Sequence, residues 1–219
     1  YYGQPIALLA GPDFAVLIKL AHKIDIEYEE QKGQYNYVKF SAEKLLGKQR
    51  LSKGDSENLT LLEDDTKKIE TGIKISAQEH WYPEPHTAFA RYDKKKITVN
   101  IGTQWPFHVR SSCAQGLDRP MTEILIEPME TGQHMDGKIW YPSLIACLCA
   151  LACSITQKNT RLALSREEDF LCSPKSPAMS INIKSCLSKE GHLQASHLVA
   201  HIEGGAACPF LQEIMTRLC

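Results

Sequence analysis

The chain has 219 residues, of which 43% are hydrophobic, and its 25 Lys and Arg residues nearly balance 26 Asp and Glu residues to give a formal net charge of -1. This length can bury a sizeable core, arranged as one large or two smaller domains. The balanced charge argues against a nucleic-acid partner and against an anionic membrane surface, because both need a clustered basic surface.

Residues 5–30 have the pattern of a strand, a helix and a second strand. An apolar run at 6–10 is followed by a Gly-Pro-Asp turn in which Asp13 is placed to cap a helix. Apolar residues then recur at helical spacing, and residues 24–28 alternate between apolar and polar side chains. Residues 31–68 are polar and weakly periodic, which indicates a linking segment with one helix at 40–46.

From residue 68 onward the pattern is that of one mixed domain, and the fold class predicted for the whole chain is α+β. Predicted hairpin connections lie at 92–96 and 188–191. The predicted strands cover 72–76, 87–92, 96–102, 123–127, 161–165, 179–187 and 192–201, and the predicted helices cover 106–115, 143–156 and 209–218.

The most apolar run, LIACLCALAC at 144–153, is about half the length that a membrane span needs, so we expect a buried helix and no membrane segment. Cys149 and Cys153 share one face of that helix. The chain has no Cys-x-x-Cys pair, so we interpret its cysteines as packed free thiols in a reducing compartment. With no signal peptide visible, we expect a cytoplasmic protein.

The sequence EPMETGQHMDGKIWYP at 127–142 joins a strand-like run to the apolar helix. A strand, a loop ending in Gly-Lys and a helix are typical of sites that bind phosphates or anionic cofactors. The glycine spacing fits neither a Walker A motif nor a dinucleotide-binding motif. The histidines lack the spacing of metal ligands, and no local motif predicts a nucleophile.

Three stretches follow in a fixed order: QEHWYPEP at 78–85, GTQWPFHVR at 102–110 and RLALSREEDF at 161–170. Together they resemble the large subunit of the molybdenum hydroxylases, the xanthine dehydrogenase and aldehyde oxidase family. The opening residues are similar to the end of the α/β hammerhead domain of that family. The resemblance therefore implies a hammerhead-like end at 1–40, a linking segment at 41–67 and a first molybdopterin-binding domain at 68–219.

The loop at 132–138 falls where this family carries Gly-Gly-Gly-Phe-Gly-Gly-Lys, whose backbone approaches the molybdenum and its pterin. The resemblance implies that Gly132, Met135, Asp136 and Gly137 bind the cofactor, although Asp136 brings a carboxylate towards an anionic group. No residue of this chain is implied as a direct metal ligand.

The glutamine that matches Gln104 donates an amide hydrogen bond to an oxygen ligand of molybdenum in this family; the alternative is a strand-end amide that satisfies backbone groups. Ile139 stands where purine-oxidising members carry a substrate-binding glutamate. It is the predicted substrate-pocket residue, and it favours aldehydes or other heterocycles over xanthine.

By this resemblance, the chain is part of an oxidoreductase that hydroxylates an aldehyde or N-heterocycle with water as oxygen source. No catalytic residue is expected in the chain itself, because the base glutamate belongs to a C-terminal second molybdopterin domain or subunit. Iron-sulfur and FAD groups are expected on partner domains or subunits of an oligomer. The alternative is a family-derived scaffold or partner-binding protein that has lost the cofactor.

Overall fold

The structure is a computed structural model that describes residues 3–33, 37–38, 45–53, 67–94, 96–133, 136–205, 208 and 211–218. Two compact units divide the chain: Tyr1–Glu30 with Glu79–Pro174, and Gln31–Gln78 with Lys175–Cys219. The α+β class is confirmed, and the domain boundaries near residues 40 and 67 stay a prediction. The helices and strands are α1 (Phe14–Ala21), β1 (Lys67–Ile75), β2 (Thr87–Asp93), β3 (Lys96–Gly102), α2 (Pro106–Gly116), β4 (Ile124–Met129), α3 (Tyr141–Thr156), β5 (Thr160–Ala163), α4 (Arg166–Cys172), β6 (Met179–Leu187), β7 (Leu193–Ile202) and α5 (Leu211–Leu218).

The first unit is built on a four-stranded sheet in the order β4-β3-β2-β5. β2 and β3 form an antiparallel hairpin at the predicted connection, and β5 lies antiparallel to β2 on the other side. β4 lies parallel to β3, so the chain must cross over between them, and α2 provides that crossover. The end of β3 and the end of β4 consequently lie at the same edge of the sheet.

One face of this sheet carries the core. Val99 pairs with Ala90, and both side chains are fully buried. The small alanines of β2 let α3 approach closely: Sγ of Cys149 lies 3.5 Å from the carbonyl oxygen of Ala88, and Sγ of Cys153 lies 3.6 Å from that of Ala90. The predicted packing of these two cysteines is therefore confirmed. Their thiols donate weakly to sheet carbonyls, and burial raises the pKa of Cys149 to about 11.

The second unit contains an antiparallel sheet in the order β1-β6-β7, with β6 and β7 joined at the predicted hairpin. Register places Ile73, Ile181 and Ala200 on one face, next to Ile69 and Leu198. A cavity of about 340 Å³ lies in this unit between residues 45–47, the end of β7 and α5, and the described residues of the predicted cofactor site take no part in its lining.

Several predicted elements differ from the structure. Residues 6–10 and 24–28 have no regular secondary structure and join neither sheet, since a strand requires a hydrogen-bonding partner as well as a suitable pattern. The helix between them is confirmed, and Oδ1 of its N-cap Asp13 accepts from the N–H of Ala15 at 2.8 Å. Most of the helix predicted at 40–46, and residues 209–210 of the last helix, lie outside the described residues.

Helix α4 is absent from the sequence-based prediction. Its signal is the pattern Ser165-Arg166-Glu167-Glu168, which forms a capping box: Oγ of Ser165 accepts from the N–H of Glu168, and the Glu168 carboxylate accepts from the N–H of Ser165. The cap also ends β5 earlier than predicted, at Ala163. None of the described helices combines the length and apolar character needed to cross a bilayer.

Replacing Ile97 by Ala tests the core. Ile97 is fully buried, so we expect a loss of about 2–5 kcal/mol in the free energy of unfolding, because the substitution leaves a cavity. Ile155, which is 74% exposed on α3, is the matched control, and I155A should change stability by no more than about 0.5 kcal/mol. Urea unfolding followed by circular dichroism measures both, and equal losses would contradict the core described here.

Candidate functional site

The loop that joins β4 to α3 ends in a lysine that points into the protein. Lys138 is 2% exposed. Its Nζ donates to the carbonyl oxygen of Glu84 at 2.8 Å, lies 3.6 Å from Glu84 Oε1 and is 4.3 Å from the centre of the Tyr82 ring. Burial lowers the pKa of Lys138, and the Glu84 carboxylate opposes that shift. Lys138 therefore holds the loop against the 82–84 segment and does not offer its ammonium to an external anion.

The two glycines of the loop also lie against this segment. A Cβ on Gly137 would lie 2.3 Å from Cε1 of Tyr82, and one on Gly132 would lie 2.8 Å from Oε2 of Glu84. The N–H of Gly132 donates to that same oxygen at 3.1 Å. Only glycine permits such close approach, but the partner is the protein itself. Contact of Gly132 and Gly137 with a cofactor stays a prediction.

Asp136 holds a left-handed backbone conformation, with φ of 59°. This conformation costs most L-residues about 1–2 kcal/mol, and Asp and Asn tolerate it best. The Asp136 side chain is exposed, and the backbone carbonyl oxygen of Asp136 accepts from the N–H of Ile139 at 3.4 Å. The loop backbone thus suits a glycine at this position. The adjacent Met135 lies outside the described residues, so its cofactor role stays a prediction.

Gln104 lies beside the α3 end of the loop, where its N–H donates to the carbonyl oxygen of Lys138 at 2.8 Å. At the other end, a Cβ on Gly102 would lie 3.3 Å from Cγ2 of Thr131. The parallel pairing of β3 and β4 explains this arrangement, because both strands end at the same edge of the sheet. The structure therefore brings the predicted glutamine and the predicted loop together.

The side-chain Oε1 of Gln104 is buried without a hydrogen-bond partner in the described part of the chain, a property that it shares with Oε1 of Glu84 and Nε1 of Trp140. A buried polar atom left unpaired costs about 1–3 kcal/mol, so such atoms call for an explanation. A half-turn of the amide exchanges its oxygen and nitrogen, so this position can present a donor or an acceptor. An unpaired amide next to a tightly held loop is expected where a ligand supplies the missing hydrogen-bond partner.

Two helices begin next to Gln104 and Ile139. α2 follows Trp105 and α3 follows Trp140, neither helix has a side-chain cap, and each has a proline in its first turn, at Pro106 and Pro142. The two starts are connected, since Nδ1 of His108 lies 2.7 Å from Oγ of Ser143. Helix N-termini favour anions. The helix starts and the free amide fit an anionic cofactor, whereas the carboxylate of Asp136 opposes it.

Beneath the loop lies a polar network that the sequence did not reveal. Asp169 of α4 is fully buried. Its Oδ2 accepts from the N–H of His86 at 2.7 Å, and its Oδ1 accepts from the Tyr82 hydroxyl and lies 3.0 Å from Nδ1 of His86. On the other side of the ring, Nε2 of His86 lies 3.2 Å from the carbonyl oxygen of Gly137. The network thus connects α4 to the loop.

The ionisation of this network follows from its burial. Burial alone raises the pKa of Asp169, but hydrogen bonds from His86 and Tyr82 outweigh that effect and hold the pKa below its usual range. Burial lowers the pKa of His86 and, together with the hydrogen bond to Asp169, raises the pKa of Tyr82. At neutral pH the carboxylate is therefore charged and the phenol is neutral.

Ile139, the predicted substrate-pocket residue, is half-buried directly after Lys138. Among the described residues, no group of three or more His, Cys, Asp or Glu side chains is placed to hold a metal ion. Glu84 has a structural contact through Gly132, whose N–H donates to its carboxylate. The capping box before Asp169 is the sequence signal that could have located α4, but no local pattern shows that Asp169 meets a histidine 83 residues earlier.

Comparison with known proteins places this geometry in a family. The family model described as the molybdopterin cofactor-binding domain matches residues 40–219. Aldehyde oxidase 4 of Cavia porcellus is 27% identical over 208 residues, which cover 93% of this chain and 15% of that protein. The nicotinate dehydrogenase large molybdopterin subunit of Eubacterium barkeri is 26% identical over 226 residues, covering 99% of this chain and 52% of that subunit.

The fold has a counterpart among solved structures. The aldehyde oxidoreductase of Desulfovibrio gigas aligns with a TM-score of 0.61 and 17% identity over 73% of this chain and 18% of that one. The chain therefore spans only a small part of the aldehyde-oxidising proteins and about half of the nicotinate dehydrogenase subunit. Because the family model matches most of its length, the chain belongs to the molybdopterin cofactor-binding domain family of the molybdenum hydroxylases.

Proposed function

We propose that this chain is part of a molybdenum-cofactor-dependent oxidoreductase that hydroxylates an aldehyde or an N-heterocycle with water as the oxygen source. The observation that carries the proposal is the unpaired buried amide of Gln104 beside the 131–139 loop, in a domain whose family binds molybdopterin. An amide left without a partner at this position is explained if a ligand supplies one.

The residues that would hold the cofactor are Gln104 and the loop residues Gly132, Met135, Asp136 and Gly137. When bound, the cofactor supplies the two-electron redox change of the hydroxylation. The Gln104 amide would orient it through a hydrogen bond, and the positive ends of the α2 and α3 dipoles would offset its negative charge. The catalytic base is proposed to lie in a second, C-terminal molybdopterin domain or subunit.

Further polypeptide is required by this proposal. The relatives are much longer than this chain, and one of them is by its name the large molybdopterin subunit of a larger enzyme. Iron-sulfur and flavin groups would reside on partner domains or subunits of an oligomer and carry electrons away.

Seven free cysteines among the described residues support a cytoplasmic location, where thiols stay reduced.

Ile139 supports an aldehyde or a weakly polar heterocycle as substrate. It follows Lys138 at the start of the turn into α3 and is half-buried, so it can contribute an apolar wall. An apolar wall cannot hydrogen-bond a polar purine ring, because it offers neither a donor nor an acceptor.

One observation favours a second candidate, a family-derived scaffold that has lost the cofactor. Asp136 adds a carboxylate to the loop at a position whose backbone suits glycine. A negative charge there weakens the binding of an anionic group.

Replacing Gln104 by Ala tests the main proposal. If the amide donates to the cofactor, its removal costs about 1.5–3 kcal/mol of binding, or roughly ten- to a hundredfold in affinity. Gln115, which is exposed near the end of α2, is the matched control. The chain is produced with its partner subunits, and metal analysis and pterin fluorescence give the cofactor content. Equal content in wild type, Q104A and Q115A would sink the proposed role.

Replacing Asp136 by Gly separates the two candidates. The change removes the charge and the left-handed strain, so stability should stay within about 1 kcal/mol of wild type while cofactor content rises. Gln157, also left-handed with φ of 54° but at the end of α3, is the matched control for strain. If D136G and Q157G both leave the assembled complex without molybdenum and pterin, the scaffold function is favoured.

Replacing Ile139 by Glu tests the substrate class. A carboxylate at this half-buried position should lower kcat/KM for an aromatic aldehyde about 10- to 200-fold, the range that pocket apolar contacts supply. I155E, on the exposed side of α3, should leave kcat/KM unchanged. Steady-state kinetics of the assembled complex measure both, and an unchanged I139E would remove Ile139 from the substrate pocket.

A further inference from the structure

The buried carboxylate of Asp169 restrains one segment of the protein. Both of its oxygens accept hydrogen bonds from Tyr82 and His86, and it has no exposure to water. Removing these donors would leave a buried charge unpaired, which costs several kcal/mol. The backbone at 82–86 is therefore fixed to α4 more tightly than apolar packing alone would fix it.

His86 passes this restraint to the loop. The backbone N–H of His86 donates to Oδ2 of Asp169 at 2.7 Å, and Nδ1 of its ring lies 3.0 Å from Oδ1 of Asp169. These two contacts fix the position of the ring. The carbonyl oxygen of Gly137 and the carboxylate of Asp169 can only accept, so the contacts of Nε2 and Nδ1 are both hydrogen bonds when each ring nitrogen carries a proton, a form that the charge of Asp169 favours. The orientation that Asp169 imposes on the ring is thus the one that directs an N–H at Gly137.

Tyr82 passes on the same restraint by contact. Its hydroxyl donates to Asp169, and its ring fills the space in which a side chain of residue 137 would lie. The ammonium of Lys138 lies over the same ring. The position of the ring therefore sets how closely the loop backbone can approach.

The last contact in this series is made by Gln104, whose side-chain amide is proposed to bind the cofactor. The carbonyl oxygen of Lys138, one residue beyond the point that His86 holds, accepts the N–H of Gln104 at 2.8 Å. A chain of hydrogen bonds consequently runs from Asp169 through His86 and the 137–138 backbone to Gln104. Metal sites depend on such supporting contacts, and their loss commonly weakens binding about 10- to 100-fold.

We propose that Asp169 is a positioning residue of the cofactor site, which acts through His86 and Tyr82 to fix the backbone of Gly137 and Lys138 and, with it, Gln104. The proposal rests on the proposed function for its consequence in cofactor binding. The positioning of Gln104 itself is a property of this chain alone.

The experiment compares D169N with I97A, a variant that loses stability in the core without touching the network. Asn keeps the volume of Asp but not its charge, so the contacts to His86 and Tyr82 weaken. Amide hydrogen exchange of the purified chain is measured by NMR at Gln104 and at Val99 of β3, the strand that ends two residues before Gln104. In D169N, exchange at Gln104 relative to Val99 should accelerate about tenfold or more, the equivalent of one lost hydrogen bond to a charged group.

In I97A the ratio of the two exchange rates should stay near that of wild type, because a loss of global stability affects both amides. Y82F is the milder second variant, which removes a single donor from Asp169 and keeps the ring, and it should shift the ratio in the same direction by less. An unchanged ratio in both D169N and Y82F overturns the proposal, since a purely stabilising network would behave in that way.

Cofactor content of the assembled complex, expressed per folded chain, tests the functional consequence. Loss of pterin in D169N but not in I97A supports the positioning role, and equal content in all three proteins overturns it. If wild type itself carries no pterin while the exchange ratio still rises in D169N, the positioning of Gln104 stands and the proposed function fails.

Discussion

A carboxylate that is removed from water must find donors, and Asp169 finds them in residues 82–86, far away in the sequence. This requirement fixes the segment that lies under the loop between β4 and α3. Because Tyr82 and His86 each use a second face to contact Gly137, satisfying one buried charge also sets the position of the loop. The geometry around Gln104 follows from that constraint.

The Gly-Lys step of this loop illustrates how a familiar pattern can serve a different purpose. In phosphate-binding loops glycine exposes backbone N–H groups and lysine reaches the anion. Here Gly137 allows the backbone to press on an aromatic ring, and Lys138 turns inward to the Glu84 carbonyl. The groups near the loop that can favour a ligand are the Gln104 side-chain amide and the N-terminal ends of α2 and α3. These groups favour the binding of an anion, whereas the carboxylate of Asp136 weakens it. The larger of the two effects decides whether the protein binds the cofactor or acts as a scaffold.

Much of the fold was predictable because local pattern and pairing agreed. The β2–β3 and β6–β7 hairpins, α2 and the cysteine-bearing α3 lie close to their predicted positions. The prediction was wrong for residues 6–10 and 24–28, where the alternation is that of a strand but no partner lies alongside in the sheets described. It missed α4 because the seven-residue helix is too short for periodicity to reveal, although its capping box was visible in the sequence.

By itself, the sequence determined the α+β class, the strand-loop-helix order and, through the three ordered stretches, the family and the proximity expected of Gln104 and the loop. These features depend on residues close together in the chain or on patterns that persist over long stretches. Only the tertiary structure decided that Lys138 points inward, that Gly137 lies on Tyr82 and that Asp169 reaches His86. Such contacts depend on which buried polar groups meet when the layers close, and no local pattern records that pairing.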